Sequence, residues 1–180
     1  SIGTRGVLFA HSDTIALDPQ GRLHTFCHAV PGQYHLMAVT LAAGGSFQWL
    51  RNTLRAAGRA DLSYAELADL AATAPIGAEG LIFLPYLSGE RTPHLDPLAR
   101  GAFIGLSRGH TATDLAFAVM EGVACLNRIV LERAEAAASG GRALIADGPN
   151  STGNSPHSFA QYSIRFATAG TYYLYYRWRA

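Results

Sequence analysis

The stretch Ser88-Gly89-Glu90-Arg91-Thr92-Pro93-His94-Leu95-Asp96-Pro97-Leu98-Ala99-Arg100-Gly101-Ala102-Phe103-Ile104-Gly105-Leu106 decides how the chain is read. An apolar run from Leu81 to Leu87 leads into it, and a second apolar run, Gly101 to Leu106, leads out toward Thr111 and a long helical pattern. Buried strand, polar loop, buried strand and helix follow one another as they do in α/β enzymes. A loop of this kind projects side chains from a rigid scaffold into a crevice, which is where chemistry usually sits.

Working outward, Leu115, Ala118, Val119, Gly122, Leu126, Ile129 and Val130 recur at helical spacing and predict a buried helix of about six turns, with Thr111 and Asp114 as its cap and Glu121 as a structural carboxylate. Upstream, Val7–Ala10, Leu23–Val30 and Tyr34–Leu41 read as strands, the last two joined by the turn Pro31-Gly32-Gln33. Ala42-Ala43-Gly44-Gly45-Ser46 opens a helix with Phe47, Trp49, Leu50 and Leu54 turned inward. Ser46 is its expected N-cap, leaving the first helical N–H groups free for an anion. Ser63 to Ala74 forms a shorter amphipathic helix, opened by a Ser63/Glu66 capping box and closed by Pro75-Ile76-Gly77.

Composition narrows the class. At 180 residues with 49% hydrophobic and 15% charged residues, the chain is globular. A net charge of +1 gives no reason to expect nucleic acid or an anionic membrane as a partner. All 14 basic residues are arginine, which excludes a P-loop lysine or a Schiff-base lysine. Cys27 and Cys125 are expected as two buried free thiols, consistent with a reducing cytoplasm. No segment approaches the length of an apolar membrane span. His24 and His28 stand four apart, but on a strand that separation is about 13 Å, too far to share a metal. His11, His35, His110 and His157 have no partner at metal-site spacing either, and no residue is assigned as a metal ligand.

Gly101, Phe103, Gly105 and Leu106, a seven-residue spacer, then Asp114-Leu115, Ala118, Val119, Met120 and Glu121 reproduce a signature of the FGGY carbohydrate kinases. Leu84-Pro85-Tyr86-Leu87 and Gly89-Glu90-Arg91-Thr92-Pro93 resemble the xylulokinase branch of that family. The resemblance covers roughly residues 1–141. It implies an α/β fold, part of an actin-like ATPase (ribonuclease H-like) domain, using ATP with Mg2+ and a ketose sugar. It also implies that the turn Gly3-Thr4-Arg5-Gly6 corresponds to a phosphate-binding Gly-Thr-Ser-Gly turn, with Arg5 in place of serine. Gly3, Thr4 and Gly6 are then candidates for phosphate contact, and Gly44 and Gln48 for contact with ADP.

By the same resemblance the catalytic aspartate and the sugar-binding lobe precede Ser1, so no catalytic base is assigned on this chain and the isolated chain is expected to be inactive. Loss of that lobe would expose an apolar face that favours self-association. Glu90, Arg91, Asp96 and Arg100 form the densest polar group and are candidates for an active-site loop: arginines clamp phosphate or carboxylate oxygens, and carboxylates orient a sugar hydroxyl or a magnesium-bound water. The same residues could equally be loop-stabilising salt bridges. Residues 1–142 are expected to form the partial kinase domain, 143–158 a linker, and 159–180 a β-hairpin. Five of the eight tyrosines lie between Tyr162 and Tyr176, around a turn at Thr168-Ala169-Gly170-Thr171. That pattern resembles a piece of a carbohydrate-binding β-sandwich, so the alternative function is a non-catalytic carbohydrate- or protein-binding chain with a kinase remnant as its scaffold.

Overall fold

The computed structural model describes residues 1–137, 160–165 and 171–176. Three strands, β1 (Gly6–Ser12), β2 (His24–Cys27) and β3 (Tyr34–Thr40), form an antiparallel sheet in the order β1-β3-β2. The register pairs Leu8 with Ala38 and Ala10 with Leu36. Because successive residues of a strand face opposite ways, Ala10, Leu36 and Ala38 share one buried face. That face packs on Leu23, Val130 and Ala134.

Helix α1 (Gly44–Ala56) follows β3, and α2 (Tyr64–Ala72) begins at Ser63, whose hydroxyl accepts the Glu66 N–H at 3.1 Å while the Glu66 carboxylate accepts the Ser63 N–H at 2.8 Å. The expected capping box is present. A single 3-10 turn at Ala78–Gly80 leads into β4 (Ile82–Leu84), which pairs antiparallel with β5 (Ala102–Ile104). These strands are shorter than the apolar runs that predict them, and not buried on both faces: Ile82 and Ile104, paired across the ladder, are 56% and 51% exposed.

Helix α3 (Ala112–Ala137) has 26 residues, about seven turns. Its first half contributes Ala116, Ala118, Val119 and Met120 to a core shared with Phe47, Leu50, Leu62, Leu67, Leu81 and Phe83. Its second half supplies Val130 and Ala134 to the core beneath the sheet. Ile129, expected inside, is 41% exposed. The Asp114 carboxylate accepts the Thr111 N–H at 2.8 Å and the Thr111 hydroxyl at 3.0 Å, the cap expected there. Gly122 lets α3 approach β4, because a Cβ at that position would overlap the Phe83 carbonyl oxygen. The Gly77 N–H hydrogen-bonds the Glu121 carboxylate, and burial pushes that carboxyl's pKa up.

Strands β6 (Ala160–Arg165) and β7 (Thr171–Tyr176) pair antiparallel, Arg165 opposite Thr171. The hairpin expected in the tail is therefore formed; its turn and the linker at 143–158 lie outside the described residues. Cys27 and Cys125 are free, as expected, but exposed: both sit on the solvent side of their elements. Among the described residues no helix is long and apolar enough to cross a membrane.

Candidate functional site

The chain opens with a tight turn. The Gly3 N–H donates to the Arg5 carbonyl at 2.9 Å and the Val7 N–H to the Ser1 carbonyl at 2.8 Å, folding residues 1–5 back onto the start of β1. At Gly3 a side chain would meet nothing within 4 Å. Gly6 differs: it is buried, and a Cβ there would overlap the Thr40 hydroxyl and lie 2.8 Å from Asn127 Oδ1. Packing of β1 against β3 and α3 therefore requires glycine at position 6.

The turn docks on the first residues of α1. Gly44 donates its N–H to the Gly3 carbonyl at 2.9 Å, and Gly45 donates to the Thr4 carbonyl at 3.0 Å. This corrects two expectations. The first helical N–H groups are not left free, and Ser46 is not the N-cap: the cap position is Ala43, and the fully buried Ser46 hydroxyl donates back to the Ala42 carbonyl. Two carbonyls from a distant turn do the capping, which satisfies donors a helix start otherwise leaves open. Thr4 and Arg5 form the exposed tip, and among the described residues their N–H groups enter no internal hydrogen bond. Gly45 keeps the contact close, since a Cβ would come within 3.1 Å of both Thr4 Cγ2 and the Thr4 carbonyl oxygen and push the turn outward by a few tenths of an ångström.

From Gly45 a shallow open groove runs along the outer face of α1, lined by Gly45, Gln48, Trp49, Asn52, Thr53 and Ala56. Gly3, Thr4, Gly44 and Gln48 are thus brought into one region. Trp49, expected inside, is 38% exposed. Its indole lies nearly parallel to Phe83 at 6.1 Å and 14°, and Phe103 supports it at 6.4 Å. The Thr53 hydroxyl donates to the Trp49 carbonyl at 2.9 Å.

The polar loop does not converge on this groove. Glu90 is 2% exposed; its Oε1 accepts the Leu41 N–H at 3.0 Å and the Arg91 N–H at 2.8 Å. Its backbone pairs with Asp96 in both directions, at 2.8 and 2.9 Å. Oε2 is buried without a partner among the described residues, and desolvation raises the carboxyl's pKa. Arg91 Nε donates to His24 Nε2 at 3.0 Å; burial and then the Arg91 charge lower the His24 pKa, which keeps that nitrogen an acceptor. Asp96 Oδ1 accepts the Leu98 N–H at 2.8 Å, and Arg100 donates to the Pro97 and Ala99 carbonyls at 3.1 and 2.7 Å. Thr92 ties the loop to the sheet, its N–H donating to the Val39 carbonyl at 3.1 Å and its hydroxyl to the Arg22 carbonyl at 2.9 Å. These side chains hold the loop against the sheet and one another, largely through backbone partners and not through the salt bridges considered for them.

A feature not anticipated from spacing lies on the outer face of the sheet. Phe9 stacks on His35 at 4.1 Å, Phe26 on His35 at 5.4 Å, and His28 meets His11 and His35 edge-on at 5.5 and 6.1 Å. His28 Nδ1 accepts the Val30 N–H at 3.0 Å, and His11 Nε2 pairs with Asp13 at 3.1 Å. Strand register is the signal that brings them together, since His11 and His35 are directly paired. No group of three or more His, Cys, Asp or Glu side chains among the described residues is arranged to hold a metal.

The chain is 48% identical over 123 residues to a xylulose kinase of Staphylococcus epidermidis, and 46% identical over 124 residues to a xylulose kinase of Escherichia coli. Each match covers 68% of this chain and 24% of the relative, so the chain spans about a quarter of the length of these proteins. Among solved structures, a ligand-bound xylulose kinase from Lactobacillus acidophilus matches with a TM-score of 0.65 at 37% identity, over 72% of this chain and 25% of that one. A xylulose kinase from Rhodospirillum rubrum matches with a TM-score of 0.63 at 37% identity, over 76% of this chain and 27% of that one. The mixed helix and strand arrangement is thus part of the ribonuclease H-like, actin-like ATPase fold of those kinases. A model of the C-terminal domain of the FGGY family of carbohydrate kinases matches residues 1–156, and the chain belongs to that family.

Proposed function

We propose that this chain is the nucleotide-side portion of an ATP-dependent kinase that converts D-xylulose to D-xylulose 5-phosphate. The observation that carries the reading is the clamped turn, Gly3–Gly6 held on α1 through Gly44 and Gly45, with the Thr4 and Arg5 N–H groups left outward. Outward N–H groups on a small-residue turn form a concavity suited to phosphate oxygens. The Thr4 hydroxyl and the Arg5 guanidinium add further donors there. Choice of D-xylulose follows the relatives, several of which are xylulose kinases.

Magnesium would come with the nucleotide and would offset the charge of its phosphates. No group of three or more His, Cys, Asp or Glu side chains among the described residues is arranged to hold the ion itself. Bound ATP supplies the phosphoryl group. This chain holds the phosphates by backbone and hydroxyl donors, and the rest of the kinase brings the sugar hydroxyl and its base. Without that part the isolated chain binds nucleotide and does not turn over. The exposed Ile82 and Ile104 belong to an apolar surface on which copies of the chain associate.

Titration calorimetry of the full chain with Mg-ADP tests the reading. Binding that weakens at least tenfold in Thr4→Ala supports it, and no binding by a chain shown to be folded by circular dichroism overturns it. ATP-dependent phosphorylation of xylulose by this chain alone would overturn the predicted inactivity.

A further inference from the structure

Two histidines secure the loop at 88–100, and their bonds differ in chemistry. Arg91 Nε donates to His24 Nε2 at 3.0 Å, and the Tyr86 hydroxyl meets His94 Nε2 at 2.9 Å. A tyrosine hydroxyl both donates and accepts, so the Tyr86–His94 bond survives when the imidazole takes a proton. A guanidinium only donates. Once His24 Nε2 carries a proton it has no lone pair to offer Arg91, and two cations face each other at hydrogen-bond distance. The Arg91–His24 bond therefore exists only with His24 neutral and its proton on Nδ1.

The groups around His24 do not welcome that proton. Phe26 lies beside it on β2, with 6.3 Å between ring centroids, and Met37 stands opposite on β3. His35, paired with Phe26, is the next titratable group on that face. The Arg22 guanidinium is engaged by Asp18, and Glu90 Oε1 by the Leu41 and Arg91 N–H groups. Among the described residues no carboxylate forms an ion pair with His24. Burial and then the Arg91 charge disfavour its protonated form.

The bond reaches further than its two residues. The Arg91 N–H shares Glu90 Oε1 with the Leu41 N–H, and Leu41 leads into the start of α1. Thr92, next in the chain, is tied to the Val39 and Arg22 carbonyls by bonds that do not titrate. Loss of the Arg91–His24 bond thus frees a guanidinium and loosens the residues before Thr92 without detaching the loop.

We infer that His24 and Arg91 form a pH-operated latch: neutral His24 holds the Arg91 guanidinium on β2 and steadies the Glu90 brace behind α1, and protonated His24 releases both. The released imidazole titrates at its ordinary value of 6.5, whereas the held one resists the proton. The latch is therefore closed above that pH and opens progressively as pH falls below it. It operates with or without a bound nucleotide.

Nitrogen-15 NMR of the full chain follows the His24 ring, and hydrogen exchange follows the loop, each between pH 7 and pH 5. In wild type His24 is expected to carry its proton on Nδ1 alone at pH 7 and to titrate with a midpoint below 6.5. Protection of the Leu41 N–H and of residues 88–91, corrected for the intrinsic pH dependence of exchange, is expected to fall about tenfold across that range. His24→Gln offers Arg91 an acceptor that does not titrate, so its protection stays constant; Arg91→Ala has the low value at both ends. His35 titrates in all three proteins and does not account for a difference among them. An equal loss of protection in His24→Gln and wild type would overturn the latch. A wild-type His24 ring protonated on Nε2 at pH 7 would overturn it as well, and that measurement needs no variant to fold.

Discussion

The buried carboxylate of Glu90 accepts the N–H of Leu41, 49 residues earlier in the chain, at 3.0 Å. Leu41 immediately precedes the Ala42–Gly45 segment on which the Gly3–Gly6 turn docks. The loop at 88–100 therefore braces the entry to α1 from behind. Glu90→Ala leaves the Leu41 and Arg91 N–H groups without their acceptor and opens a void, and is expected to cost about 2–4 kcal/mol. Glu90→Gln keeps an acceptor oxygen and removes a charge whose burial is unfavourable, so it stays within about 1 kcal/mol of wild type at pH 7. Because the folded pKa is raised, the Glu90 contribution is greatest below pH 4.5 and is lost as pH rises through the folded value; the Gln variant lacks that slope. Urea melts of the three proteins across this range make the comparison. A Gln variant as unstable as the Ala variant would contradict the bracing role.

Gly122 sets the approach of α3 to β4. Alanine is ordinarily the better helix residue by about 1 kcal/mol. Here its Cβ would overlap the Phe83 carbonyl oxygen, a backbone atom that cannot swing aside. Gly122→Ala is expected to lower stability by about 1–3 kcal/mol net. A rise in Tm would show that the two elements are further apart than described.

Asp18 holds the connection between β1 and β2. Its carboxylate accepts Arg22 Nε at 3.1 Å and the backbone N–H groups of Gln20, Arg22 and Leu23. The Arg22 side chain, foremost, brings its pKa down to about 2. A depressed folded pKa gives stability that is present above the unfolded value of 3.8 and is lost as pH falls from there toward 2. Asp18→Asn is expected to cost about 2 kcal/mol at neutral pH and to flatten the acid limb of the stability curve in that window. Unchanged acid denaturation in the variant would assign the limb to other carboxylates.

His35 acts in a different window. Burial, and next the neighbouring His28, lower its pKa below 6.5, and its Nδ1 is buried without a partner among the described residues. The unfolded chain therefore takes up this proton first, and stability falls as pH drops below 6.5. His35→Phe keeps an aromatic ring for the stacks with Phe9 and Phe26 and removes the titration. Its chevron or melt midpoint should change less between pH 7 and 5 than that of wild type; an identical change would place the sensitive group elsewhere.

Features written in short-range spacing were legible in the sequence. The Ser63/Glu66 capping box, the Thr111/Asp114 cap and the Pro31-Gly32-Gln33 turn each need only a few neighbouring residues, and each forms as read. The signature from Gly101 to Glu121 gave the family. What spacing could not show is partnership at a distance. Ser46 looked like a helix cap until the carbonyls of Gly3 and Thr4, some forty residues away, took that work. The partners of Glu90 and Arg91, Leu41 just after β3 and His24 in β2, lie 49 and 67 residues away and could not be read from spacing. The histidines of the outer face are far apart in the chain and adjacent only through register. Trp49 is apolar enough to expect inside, yet its supports, Phe83 and Phe103, hold it at the surface.

Helix α3 enters both apolar clusters along one uninterrupted rod, Ala116 to Met120 in the first and Val130 to Ala134 in the second. Neither cluster can loosen without exposing a stretch of the same helix, whose formation is cooperative. Unfolding should therefore run as one transition, with amide exchange in the sheet and in α2 slowed to a common rate. A glycine in the middle of that rod, for instance Cys125→Gly, would uncouple the two halves and split one melt into two.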